Sequence, residues 1–161
     1  MAVGSVAAVR MFRVLATLLV VATVGLVAGC QKPLPLARLV SGGQFASIPA
    51  NAFCFDLNTT RTACRTTQAL PGRLTVRSGA PVGVEVPPEL SGVPWVVRLV
   101  AATGGGKTQA QNTPPQLGAS YLSLTPDFGT NKALLLDVIG LSAAGDQTVV
   151  VGRWSFLLIR D

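Results

Sequence analysis

The 161-residue chain contains no histidine. That absence removes the side chain that most often acts as a general base near neutral pH and most often ligates zinc. A Ser-His-Asp triad is therefore impossible, and no Gly-x-Ser-x-Gly elbow occurs. Charge is also scarce, at 12% of residues. The basic residues are scattered, with no run of Lys or Arg and little aromatic interleaving, which argues against nucleic-acid binding. Lysine is limited to Lys32, Lys107 and Lys132, none in a setting that suggests a Ser-Lys pair. Few charges combined with plentiful Gly, Pro and Thr suit short strands and turns better than long helices.

What the chain does have is concentrated at its start. Arg10 and Arg13 form a positive segment without acids, and Val14 to Ala28 is apolar apart from Thr17, Thr23 and Gly25. The run suits a signal segment and is short for a membrane span, which needs about 20 residues. It ends in Leu26-Val27-Ala28-Gly29-Cys30, with slim side chains directly before a cysteine. This order is that of a bacterial lipoprotein signal. Residues 1–29 are expected to be a helical signal peptide, and Cys30 the lipidation site and new N-terminus. Its thiol would carry diacylglycerol, and acyl chains of the palmitate kind would hold the protein on the outer face of the cytoplasmic membrane. Each buried methylene contributes about 0.8 kcal/mol to such an anchor. Residues 30–36, with Lys32, Pro33 and Pro35, read as the tether, and 37–161 as one domain.

Removal of residues 1–29 leaves 132 residues; the thirteen basic residues less Arg10 and Arg13 stand against seven acids, a net charge of +4. This mild excess is compatible with anionic lipid or a cell-wall polymer as a neighbour. With Cys30 committed to lipid, Cys54 and Cys64 remain, and two cysteines at this spacing in an oxidising compartment are expected to form a structural disulfide. No histidine is present to complete a zinc site, and the spacing is not that of a Cys-x-x-Cys redox pair.

The remaining sequence reads as strands punctuated by turns. Ala37–Val40 forms a first strand ended by Ser41-Gly42-Gly43, and Phe45–Ile48 extends it or begins another. Ala52–Leu57 is strand-like, and Asn58–Thr67 is a threonine-rich loop closed by the disulfide. Leu74–Arg77 and Val82–Val86 alternate with period two. Trp95–Val100 reads as a central strand, Gln109–Gly118 as a polar loop, and Tyr121–Leu124 as another strand. Ala133–Ile139 is either a buried strand or a helical turn. Thr148–Val151 and Arg153–Ile159 are separate β segments. Seven to nine short strands imply an all-β fold, an antiparallel two-sheet sandwich of immunoglobulin-like kind. Trp95 and Trp154 are its expected core anchors.

Two motifs invite chemistry. Ala101-Ala102-Thr103-Gly104-Gly105-Gly106-Lys107-Thr108 fits the permissive phosphate-loop pattern, but that loop needs a helix beginning at Lys-Thr. Pro114 and Pro115 follow too soon to permit one. It reads as a hairpin connection, and no nucleotide is expected. Glu85 and Glu89 could form the carboxylate pair of a glycoside hydrolase, yet one lies on an alternating strand and the other in a loop, so both read as surface acids. Asn58-Thr59-Thr60 is a solvated loop rather than a glycosylation site.

The segment Val86-Pro87-Pro88-Glu89-Leu90 through Val93-Pro94-Trp95-Val96-Val97, with Cys54, Cys64, the lipobox and the strand Arg153-Trp154-Ser155-Phe156, resembles the actinobacterial lipoproteins grouped as domain of unknown function 2771. The resemblance spans most of residues 35–160 and departs at Gly104-Gly105-Gly106. It implies an actinobacterial envelope protein and assigns no activity. The sequence thus points to a lipid-anchored, non-enzymatic binding or accessory module without metal or cofactor. Its partner would be an envelope protein or cell-wall polymer, met by the loops at 58–67 and 104–118. The competing expectation is a carrier holding a lipid between the sheets.

Overall fold

The structure, a computed structural model, describes residues 32–56, 64–103, 107–144 and 147–161. The signal segment and Cys30 lie outside the described residues. Eleven strands follow one another: β1 (Leu36–Ser41), β2 (Gln44–Pro49), β3 (Ala52–Cys54), β4 (Cys64–Thr66), β5 (Gly72–Val76), β6 (Val82–Glu85), β7 (Trp95–Thr103), β8 (Lys107–Asn112), β9 (Tyr121–Leu124), β10 (Ala133–Ala144) and β11 (Gln147–Arg160). Among the described residues a 3-10 turn, Pro88–Leu90, lies between β6 and β7. Among the described residues no helix is long and apolar enough to cross a membrane.

The strands form two sheets packed as a sandwich. The smaller runs β2-β1-β6-β9, and the larger runs β4-β3-β11-β10-β7-β8. Period-two alternation produces the core between them. Ala37 and Leu39 of β1 and Val82 and Val84 of β6 face Leu134, Leu136 and Val138 of β10 and Trp154, Phe156 and Leu158 of β11, all buried. Trp95 and Trp154 are both fully buried, as expected of the core anchors. Each indole N–H has a partner, as burial of a donor demands: Trp95 Nε1 donates to the Ala119 carbonyl at 2.8 Å, and Trp154 Nε1 to the Pro35 carbonyl at 2.9 Å. One pairing is not antiparallel. β5 runs parallel to β11 along Phe156–Arg160, end to end with β3, which meets β11 at Gly152 and Arg153.

Several expectations need correction. The Pro35 carbonyl accepts from both the Trp154 indole and the Ala50 amide, which ties the approach to β1 onto the sandwich. The described residues form eleven strands rather than seven to nine. Two of the extra strands, β4 and β8, are polar edge strands whose side chains carry no buried stripe. Gln109–Asn112 is strand rather than loop, and Thr113–Gln116 is pinned along β7. Thr113 N donates to the Val97 carbonyl at 2.9 Å, and Gln116 exchanges two backbone bonds with Trp95. Ala133–Ile139 is strand. Thr148–Val151 and Arg153–Ile159 are one strand carrying a β-bulge: Gly140 opposes Gly152 and Leu141 opposes Val150, so Val151 is the extra residue, and it is buried. A bulge keeps a strand continuous where its side-chain phase slips.

Candidate functional site

The sequence-predicted residues do not converge on a single site. Cys54 and Cys64 form the expected disulfide, at register-paired positions of the β3–β4 edge. Of the loop expected over 58–67, residues 58–63 lie outside the described residues, and Cys64–Thr66 is strand β4. Lys107 and Thr108 open strand β8 instead of a helix, so the phosphate-loop pattern lacks the helix N-terminus its chemistry requires. Glu89 lies in the 3-10 turn. Glu85 points outward from β6 and pairs with Arg38 at 3.7 Å. Among the described residues no group of His, Cys, Asp or Glu could hold a metal ion. The buried Asp137 is fully engaged: Oδ1 accepts from Ser155 Oγ at 2.6 Å and Oδ2 from Arg153 Nη2 at 2.8 Å. This arrangement is structural.

The feature that stands out is the outer face of the four-stranded sheet. Among the described residues two aromatic side chains are exposed, Phe45 at 68% and Tyr121 at 51%, and both border the same cleft. The hairpin between β1 and β2 builds one wall. Gly42 and Gly43 both have positive φ, 55° and 82°, which is the backbone of a tight two-residue turn and favours glycine. That turn pairs Val40 with Phe45. The period of two then points Val40, Phe45 and, across β6, Gly83 to the same side, since Val40 also pairs with Gly83. Ser123 of β9 pairs with Gly83 and continues the row.

Gly83 forms the floor of this cleft. A Cβ there would stand 2.6 Å from Tyr121 Oη, 2.8 Å from Tyr121 Cε2 and 2.7 Å from Val40 Cγ2. Glycine is what lets the tyrosine ring reach across from β9 and lie over β6. A glycine inside a strand often marks such a close approach. The cleft has a volume of about 350 Å³, at the small end of the ~300–1,000 Å³ typical of ligand sites. Beside it on the same face, the Arg38 guanidinium lies over the Phe45 ring, 5.5 Å from its centroid. The Arg38–Glu85 pair is about half exposed, so it orients side chains more than it stabilises the fold. The exposed Ser123 hydroxyl adds a group that both donates and accepts hydrogen bonds.

A second cavity lies against the loop 127–131 and is lined by Leu99, Gln109, Gln111, Phe128 and Leu134. Its volume is about 150 Å³, well under that ligand range and too small to enclose an acyl chain of useful length.

The sequence reading passed over Phe45, Gly83 and Tyr121. Two signals were present: a lone glycine inside the alternating Val82-Gly83-Val84-Glu85 strand, and the only tyrosine of the chain at an outward-phase position of β9. No protein-family model, curated protein or solved structure matches the chain. The resemblance to the lipoproteins of domain of unknown function 2771 therefore rests on the residues quoted for it.

Proposed function

We propose that this chain is an exported, lipid-anchored binding module of the cell envelope. Cys30 carries the lipid, and the sandwich presents the outer face of its four-stranded sheet to a partner outside the membrane. The observation that carries the reading is the lipobox Leu26-Val27-Ala28-Gly29-Cys30 placed directly before a disulfide-bonded β domain. A structural disulfide suits a compartment where thiols are oxidised. The net charge of +4 on the mature chain suits a surface beside anionic lipid and polymer. The module works by binding and not by catalysis, since the outward face combines aromatic rings with neutral polar groups and one ion pair. Its resemblance to the actinobacterial lipoproteins of domain of unknown function 2771 supports the envelope location.

The test is metabolic labelling with an alkyne analogue of palmitate in cells expressing either the wild type or Cys30→Ala. The wild type is expected to take up label and sediment with membranes. The variant is expected to take up none. Equal labelling of both forms would refute Cys30 as the anchor.

A further inference from the structure

We propose that the cleft between Phe45 and Tyr121 binds a saccharide of the envelope, with one sugar ring seated over Val40 between the two aromatic rings. The proposal rests on the reading of this face as the binding surface and names its ligand class.

Burial of an aromatic ring is favourable, and the other described aromatic side chains are buried or partly buried. Phe45 and Tyr121 are left in solvent on one face, separated by the width of the four-stranded sheet, three strand spacings or about 14 Å of backbone. Tyr121 closes part of that gap by lying over Gly83. The faces of aromatic rings carry negative charge density, and the C–H groups on the face of a pyranose are weakly positive, so the two stack. Sugar hydroxyls each donate and accept, and the cleft answers in kind. The Ser123 hydroxyl lies on this face, and Arg38 and Glu85 stand beside the cleft as donor and acceptor.

An extended proline-rich peptide also docks on aromatic surfaces, but its prolines lack N–H groups and offer only carbonyl acceptors. Such a ligand brings no donor to the acceptor capacity that the Glu85 carboxylate keeps beyond its pair with Arg38. The mixed polar set therefore favours a saccharide.

Tyr121 is the single tyrosine of the chain, so ¹³C-tyrosine labelling gives one ring signal that reports on the cleft alone. The experiment uses the full chain extracted from membranes in detergent. It is titrated with mannohexaose, cellohexaose and chitotetraose, and separately with decaproline, to ~10 mM, where even millimolar affinities register. Calorimetry gives the affinity of each variant. A saturable shift of the Tyr121 signal with at least one oligosaccharide is expected. Phe45→Ala and Tyr121→Ala should each weaken that binding roughly tenfold. Tyr121→Phe should retain most of it, and Val150→Ala, an exposed apolar residue of the other sheet, should leave it unchanged. Both alanine changes fall on exposed side chains, and an unaltered circular-dichroism spectrum confirms that the variants fold. No shift with any oligosaccharide overturns the proposal, as does binding that survives both alanine changes. A shift with decaproline alone overturns the saccharide while keeping the face as a binding surface. Palmitate labelling is untouched by any of these outcomes, so failure of the ligand and failure of the anchor are separable.

Discussion

Gly83→Ala offers a close check on the cleft, because its effect depends on one neighbour. The new methyl would stand 2.6 Å from Tyr121 Oη and 2.7 Å from Val40 Cγ2, so both side chains must turn. Tyr121 is half exposed and can swing into solvent. An aromatic side chain offers ~200 Å² to burial, so the contact at risk is about 100 Å², worth at most ~2.5 kcal/mol. A displaced ring keeps part of that contact, leaving a loss of about 1–2 kcal/mol. Replacing glycine within a strand returns about 0.5–1 kcal/mol of backbone entropy. The net expectation is a destabilisation of about 1 kcal/mol, or a Tm lower by about 4 °C. In a Tyr121→Ala background the ring is gone, and the same substitution should cost little or stabilise slightly. The Val40 adjustment occurs in both backgrounds and cancels. Thermal denaturation of wild type, both single variants and the double variant therefore yields a coupling of about 1–2 kcal/mol. Additivity within about 0.3 kcal/mol would mean that the ring does not lie over Gly83.

Three further predictions concern the framework that holds the face in place. Asp137→Ala should cost about 2–3 kcal/mol by chemical denaturation, because it strands the buried Ser155 hydroxyl and breaks the Arg153 pair; Asp137→Asn, which keeps an acceptor for Ser155, should recover part of that loss, and equal losses would contradict the structural role. Replacing Cys54 and Cys64 by serine opens a loop of sequence separation 10, for which chain entropy predicts about 2.7 kcal/mol. Because β4 pairs only with β3, the fall in Tm should be accompanied by faster amide exchange confined to the β3–β4 edge. Trp154→Phe removes the indole donor to Pro35 and should cost about 2–3 kcal/mol from the lost bond and volume, with the Ala50 amide, which donates to the same carbonyl, losing protection first in hydrogen exchange.

The sandwich was legible because its inward residues announce themselves. Alternation in Val82–Glu85 and Tyr121–Leu124, and the apolar runs ending in Val151 and Ile159, mark strands with one buried face. The polar edge strand Lys107–Asn112 carries no such mark. It is a strand because β7 offers it a free row of backbone groups, a cause that lies outside its own residues. The bulge at Val151 was hidden for a similar reason, since Gly152 reads as punctuation when the sequence stands alone and as continuity when Gly140 lies opposite. Of the candidate site, the disulfide followed from cysteine count and spacing. The cleft did not, because Phe45, Val40, Gly83 and Tyr121 sit on four different strands. Only the β2-β1-β6-β9 order brings them together, and that order depends on long-range pairings that one sequence does not display.

The central claim, that the sandwich hangs from a lipid on Cys30, is tested most directly by the intact mass of the protein isolated from membranes, with fragmentation of its N-terminal peptide. The account predicts a chain that begins at Cys30 and bears a diacylglyceryl thioether. A chain that begins elsewhere, or that begins at Cys30 with an unmodified thiol, would contradict it.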